Sequence, residues 1–365
     1  MRLLIIGNNS GTGGAQTAFR KLCEFLCNEG HEVFVIALQS QNSSFPISAT
    51  HTSIKIDAES TSLIAKFRKC LKLIGAGRQA RRFAPDVFIA VGLAKSASFI
   101  ASRLSNKTFS VAQDFIHGRL IDDPLLVGTL TSFDALAVQS PAMVPALQNQ
   151  TTEILPLNWL PCFPQSPIAG ALYDPPPADS GVKLAYFGRL AANKGLPMLI
   201  EAFVAVLLAN DTILHIWGEG EIGEELCHLI GAHDMQNRVR LMGRYPSGEE
   251  GAQLMCSYHA LILPSTGSEG LPLILLEAMA YGIPFIATDV GAIRDCCEGN
   301  MDCILVQPEP KALASALVEM VRRIQSAHIK PDRLRSWYEA HFSTTMMSSR
   351  WRRFLDNPSM FFRNA

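Results

Sequence analysis

The chain has 365 residues, 48% of them hydrophobic and 18% charged, with a net charge of −1. This composition describes a globular chain with a large interior, and the length exceeds what one core ordinarily serves, so two domains are expected. The near-zero charge excludes a general attraction to nucleic acid, and no uninterrupted apolar run reaches the ~18 residues of a membrane span.

In chain order, "RLLIIG" predicts a buried strand, "GNNSGTGGAQ" a glycine-rich turn, "TAFRKLCEFLCNEG" an amphipathic helix and "HEVFVIAL" a second strand. The apolar "MRLLIIGNN" is too short for a signal peptide. Strand, loop, helix, strand is the opening of a parallel doubly wound sheet. "DVFIAVG", "FSVAQDF" and "ALAVQS" are further strands, with helices between them. Residues 164–181, "PQSPIAGALYDPPPADSG", have linker composition. The pattern then restarts: "KLAYFGRL" is strand into loop, "GLPMLIEAFVAVLLA" a helix and "ILHIWGEG" strand into loop. "VRLMGR", "ALILPS" and "PFIATDVG" follow as short strands. In "SRWRRFLD", Trp351, Phe354 and Leu355 fall at helical spacing. The fold class expected is α/β, with two Rossmann-like domains facing across a cleft. The boundaries are 1–165, a linker over 166–181, 182–343, and a terminal helix over 344–365.

The glycine turn fails the G-x-G-x-x-G fingerprint, because Gln16 stands where the last glycine belongs. The second strand ends at Gln39 and Ser40 with no acid for a ribose, which argues against a nicotinamide dinucleotide. Its glycines still let backbone N–H groups approach a phosphate at a helix N-terminus. In "FGRLAANKG", Arg189 and Lys194 lie on a loop between strand and helix and suit an anion such as a diphosphate. In "EGLPLILLEAMAYGIP", residues 269–284, Pro272 suits a first helical turn, and Gly282 with Pro284 ends the helix. Glu277 then lies among Leu273, Ile274, Leu275, Leu276, Ala278 and Met279, where a carboxylate is costly unless something satisfies it. Glu269, just ahead of the helix, can accept hydrogen bonds from sugar hydroxyls beside free N–H groups. Nine cysteines do not pair evenly, which favours a reducing compartment. Cys296, Cys297 and Cys303 in "CCEGNMDC" have no matching zinc spacing and read as small buried or loop residues.

"FGRLAANKG", "WGEGE", "VRLMGR" and "ILPSTGSEGLPLILLEAMAYGIPFIATDVGAIRD", in that order, resemble the donor domain of the retaining GT4 glycosyltransferases, which have the GT-B fold. The resemblance covers about residues 184–306. "TGGAQ", "VQS" and "LPLNWLP" resemble the first domain more loosely. The resemblance implies that the terminal helix over 344–365 returns to the first domain, that Arg189 and Lys194 hold the donor diphosphate as it leaves, and that Glu269 binds the transferred sugar. Gly270 and Leu271 would offer backbone amides, within a donor-binding stretch that runs through Pro272 and Leu273. Glu277 would hold the nucleotide ribose, and Gly13 and Gly14 would approach the diphosphate. His117, in "AQDFIHGRL", matches a histidine beside the sugar, with Asp114 as its nearby substitute. Arg244 and Tyr245 fall near the family's base site. The chain has no Asp-x-Asp, so no metal and no cofactor are expected beyond the nucleotide-sugar substrate.

The first domain would bind the acceptor, a glycan or lipid-linked molecule of cell-surface polysaccharide synthesis. From Ser60 to Pro85 the chain carries Lys66, Arg68, Lys69, Lys72, Arg78, Arg81 and Arg82 without an acid. Leu63, Phe67, Leu71 and Ile74 share one helical face, so residues 63–82 suit an anionic membrane surface. The location implied is cytoplasmic, peripheral at the inner face of the membrane, with no nucleic-acid partner. Two alternatives stay open on sequence: a sugar-nucleotide epimerase of the same fold, and a non-catalytic sugar-nucleotide-binding partner.

Overall fold

The computed structural model describes the chain apart from residues 10–13, 40–46, 48, 50–53, 58–62, 93, 114–127, 152–154, 164–166, 169–172, 175–180, 207–211, 268 and 364–365. The side chains at 39, 54–57, 63–66, 146 and 149–151 are also outside the description. The chain divides into two compact units, Met1–Gln165 with Thr344–Ala365, and Ser166–Ser343.

The first unit contains a seven-stranded sheet: β1 (Arg2–Asn8), β2 (Glu32–Gln39), β3 (Ile54–Asp57), β4 (Val87–Val91), β5 (Phe109–Gln113), β6 (Ala135–Val138) and β7 (Leu157–Trp159). Their order is β3-β2-β1-β4-β5-β6-β7, and every pair is parallel. β4 and β6 are buried along their whole length, as continuous apolar strands covered on both faces must be. The helix Gly14–Asn28 follows β1 and turns Phe19, Leu22 and Leu26 into the core. The helix Thr344–Asp356 completes this unit. Trp351 and Phe354 are fully buried in it, and the Trp351 indole Nε1 donates to the carbonyl oxygen of Pro161 at 2.9 Å.

The second unit has six parallel strands: β8 (Lys183–Phe187), β9 (Ile213–Trp217), β10 (Val239–Gly243), β11 (Ala260–Leu263), β12 (Phe285–Thr288) and β13 (Cys303–Val306). Their order, β10-β9-β8-β11-β12-β13, reverses direction at β8 and β11. At such a switch point the loops leaving two neighbouring strands diverge and open a crevice at their carboxyl ends. The loop after β8 carries Arg189 and Lys194, and the loop after β11 carries Glu269.

The strands read from sequence are present. β3, β7 and β13 add three that periodicity did not mark, each only three or four residues long. The helix expected over "GLPMLIEAFVAVLLA" ends at Ala205. The one expected from Pro272 runs Leu273–Tyr281, with Pro272 extended (φ −74°, ψ 113°) as the residue before it. Cys296, Cys297 and Cys303 are buried free thiols. Among the described residues no helix is long and apolar enough to cross a membrane.

Candidate functional site

Three loops at the carboxyl end of the second unit's sheet build the site. The first, after β8, passes through a short 3-10 turn (Ala192–Lys194) to Gly195 at φ +65°. A Cβ at Gly195 would lie 2.0 Å from the carbonyl oxygen of Pro264, so only glycine permits this approach. The loops after β8 and β11 are joined there. The N–H groups of Thr266 and Gly267 both donate to the Asn193 carbonyl oxygen at 3.0 Å. The third loop, after β12, holds the backbone of Glu269: the Ala292 N–H donates to its carbonyl oxygen at 2.9 Å. Gly291, at φ +59°, lets the chain pass, since a Cβ would stand 2.0 Å from that same oxygen.

This scaffold fixes a cluster around one carboxylate oxygen. Lys194 Nζ donates to Glu269 Oε1 at 2.5 Å, and Ser265 Oγ donates to the same oxygen at 2.5 Å. Ser265 is fully buried, and its carbonyl accepts from the buried Thr288 hydroxyl at 2.5 Å. The Lys194 and Glu269 side chains are 22% and 13% exposed, so the pair is shielded yet reachable from solvent. Ionised partners in this geometry make strong hydrogen bonds. Arg189 is placed differently. Its side chain is 68% exposed and meets Glu221 at 3.8 Å. Its carbonyl accepts from the buried Tyr186 hydroxyl at 2.8 Å. The Tyr186 phenol has a pKa raised by burial, then by the charge of Glu269 and by Tyr245, and opposed by Arg189. Both charged residues therefore act on the same buried ring.

Glu269, Gly270, Leu271 and Pro272 lead into the helix Leu273–Tyr281, whose first turn has no side-chain cap. Its N-terminal N–H groups carry the positive end of the helix dipole. Leu273, Ile274 and Glu277 are partly exposed along one side of the helix, while Leu275, Leu276, Ala278 and Met279 are buried. Glu277 makes no hydrogen bond or ion pair among the described residues. Burial pushes its carboxyl up to about 7. Its charge reaches the phenols of Tyr245, Tyr281 and Tyr338 and raises each of them, behind the larger effect of burial. Tyr245 packs edge-on against Phe187 at 5.3 Å, and Phe187 stacks on Trp217 at 6.2 Å. Arg244 pairs with Glu219 at 3.2 Å.

The structure thus brings Lys194, Glu269 and the helix start into one cluster, with Glu277 on the same helix and Arg189 at its exposed margin. Gly14 opens the first helix of the other unit. Gly13, His117 and Asp114 lie outside the described residues. Sequence reading missed Ser265, Thr288 and Asn193. Ser265 had a signal, a hydroxyl at a strand end four residues before Glu269. Asn193 acts through its backbone carbonyl, which no side-chain pattern reveals. On the helix Leu63–Phe83, Phe67, Leu71 and Ile74 are exposed, Phe67 by 64%. Leu73, Ala76, Ala80 and Phe83 form the buried side. The side chain of Leu63 is outside the description.

Residues 181–323 match the family model described as glycosyl transferases group 1. A phosphatidyl-myo-inositol mannosyltransferase of Mycobacterium leprae is 30% identical over 145 residues, 39% of this chain and 38% of the relative. The match with curated relatives spans about a third of their length. Among solved structures, sucrose-phosphate synthase from Thermosynechococcus elongatus superposes with a TM-score of 0.78 at 18% identity, over 100% of both chains. Anabaena HepE in complex with UDP and glucose gives 0.73 at 16% identity, over 97% of this chain and 99% of that one. These likenesses identify the fold as GT-B.

Proposed function

We propose that this chain, whose second unit carries a glycosyl transferases group 1 domain within a GT-B fold, is a retaining glycosyltransferase of the GT4 type. It moves a hexosyl group from a nucleotide-diphosphate sugar to a glycan or lipid-linked acceptor of cell-surface polysaccharide synthesis. The observation that carries this reading is the Lys194–Glu269–Ser265 cluster at the point where the strand order reverses, beside an uncapped helix N-terminus.

The chemistry follows from those parts. A departing nucleoside diphosphate gathers negative charge, and fixed cations and N–H dipoles lower its energy without reorganising. Lys194, Arg189 and the first turn at Leu273 supply them. Glu269, its charge partly held by Lys194 and Ser265, accepts hydroxyls of the transferred sugar. Glu277 has no hydrogen-bond or ion-pair partner among the described residues, and two ribose hydroxyls would supply one. The acceptor attacks on the face the diphosphate leaves, and a phosphate oxygen takes its proton, so the anomeric configuration is retained. No step needs a metal. That a related fold was solved with UDP and glucose supports the donor class. A relative that acts on phosphatidyl-myo-inositol supports a lipid-borne acceptor. The exposed Phe67, Leu71 and Ile74, flanked by Arg68, Lys72 and Arg78, support membrane attachment through the helix Leu63–Phe83.

A thermal-shift screen against UDP, GDP and ADP, each with and without its common sugars, tests the donor site. A selective rise is expected, about 2.7 kcal/mol at a hundredfold excess over Kd, with loss in Glu277→Ala. Lys194→Ala is expected to cut turnover by about 10² or more. Product analysis then tests the reaction: an isomerised donor without glycosylated acceptor, or no nucleotide shift in folded protein, overturns the reading.

A further inference from the structure

The first unit holds a second concavity. A groove of about 560 Å³ opens at the carboxyl ends of β6 and β7, between the helix Met143–Thr151 and the returning residues 350–361. Pro141, Val144, Pro145 and Met360 give it an apolar wall, with Met360 55% exposed. Arg350 and Arg353 stand on the groove as well, and no acidic side chain lines it among the described residues.

Arg350 is held in a built setting. Its guanidinium lies 3.6 Å from the Trp159 ring centroid and 5.0 Å from that of Phe361. Nε donates to the Trp159 carbonyl oxygen at 2.8 Å, and Nη2 donates to Asn158 Oδ1 at 2.6 Å. Asn158 Nδ2 donates in turn to the Phe361 carbonyl oxygen at 2.7 Å. These acceptors are neutral, so they orient the cation without neutralising it. Burial, and then the charge of Arg353, lowers the Arg350 pKa to about 10. Its Nη1 has no protein partner among the described residues. Arg353 is exposed and forms no hydrogen bond or ion pair among them. A buried charge is ordinarily paired. Here a half-buried, oriented cation is instead joined by a second one, beside apolar side chains. The complement is an anion that carries an apolar tail.

We propose that this groove binds a single-chain amphiphilic phosphate. Its phosphate engages Arg350 Nη1 and Arg353, and its alkyl or prenyl chain lies along Pro141, Val144, Pro145 and Met360. The site belongs to the first unit alone and does not depend on the transfer reaction. If Arg350 served only to tie the returning helix to β7, neither Arg353 nor an open apolar wall would be needed.

The test is calorimetric titration of the full chain, without nucleotide, with n-decyl phosphate below its micelle concentration. Inorganic phosphate and the neutral amphiphile decyl maltoside are run in parallel. One saturable site is expected for decyl phosphate, with both comparison ligands at least about tenfold weaker. Arg353→Glu and Met360→Asp change exposed side chains and should each weaken binding about tenfold or more in protein that melts like the parent. Leu71→Asp, on the basic helix, should leave it unchanged. Equal affinity for either comparison ligand, unaltered binding in Arg353→Glu and Met360→Asp, loss in Leu71→Asp, or no binding to folded parent each overturns the assignment.

Discussion

Glu277 sits where its charge is penalised, and the penalty has a measurable sign. Its carboxyl titrates at about 7 in the folded chain against an ordinary 4.5, because burial disfavours the ion. The folded state therefore holds the proton more tightly than the unfolded chain does. The stability from this group is fully present below about pH 4.5 and is lost as pH rises through about 7. Glu277→Gln removes the titration. It should be more stable than the parent at pH 8 by about 1–3 kcal/mol and nearly equal at pH 4.5, as measured by urea unfolding at both values. Nucleotide binding supplies a second readout. Ribose hydroxyls that donate to the carboxylate would lower its pKa, so binding near pH 6.5 should release about half a proton. Calorimetry in buffers of different ionisation heat would detect that release in the parent and find none in Glu277→Gln. Much of this cluster was legible as sequence, because Arg189, Lys194 and Glu269 carry their chemistry in side chains on strand-end loops, and Glu277 in one on the helix that follows. What was not legible is which cation meets which acid. Lys194 bonds Glu269 while Arg189 pairs outward with Glu221, and the Asn193–Thr266 backbone junction ties together the loops that carry Lys194 and Glu269.

At the scale of elements, the site depends on loops that approach more closely than side chains allow. Gly195→Ala would drive a Cβ toward the Pro264 carbonyl at a left-handed φ. It should cost about 2 kcal/mol or more and weaken nucleotide binding, both readable in one thermal-shift series. The helix Leu63–Phe83 makes the opposite kind of prediction. Leu71 is 53% exposed, so Leu71→Asp should leave stability within about 0.5 kcal/mol while abolishing flotation with anionic liposomes. Retained flotation would refute the membrane reading. Sequence periodicity located this helix and placed Phe67, Leu71 and Ile74 on one face. It could not say whether that face met the sheet or solvent, because an apolar stripe looks the same in both cases. The longer strands were legible for a related reason: buried parallel strands are unbroken apolar runs. β7, three residues long, is too short to stand out, β13 is only partly buried, and their pairing with β6 and β12 is what makes them strands.

At the scale of the molecule, the two sheets share one winding order, yet only the second unit is continuous in sequence. The first needs Trp351, which is fully buried and stacks against Phe163 at 6.4 Å. Trp351→Ala should destabilise by about 3–5 kcal/mol while nucleotide affinity, which the proposed donor site assigns mainly to the second unit, changes less than twofold; denaturation and calorimetry on the same preparation check both. The discontinuity also sets a schedule during synthesis. A ribosome releases all seven strands of the first sheet, then must build residues 166–343 before the segment that covers them emerges. At ordinary elongation speed that interval lasts roughly 10 to 35 seconds. Throughout it, the nascent first unit waits with the surface meant for Trp351 and Phe354 uncovered, while the second unit can fold as soon as it clears the exit tunnel. The half translated first is therefore the half finished last, and the interval in which its apolar surface stands open is written into the order of the chain.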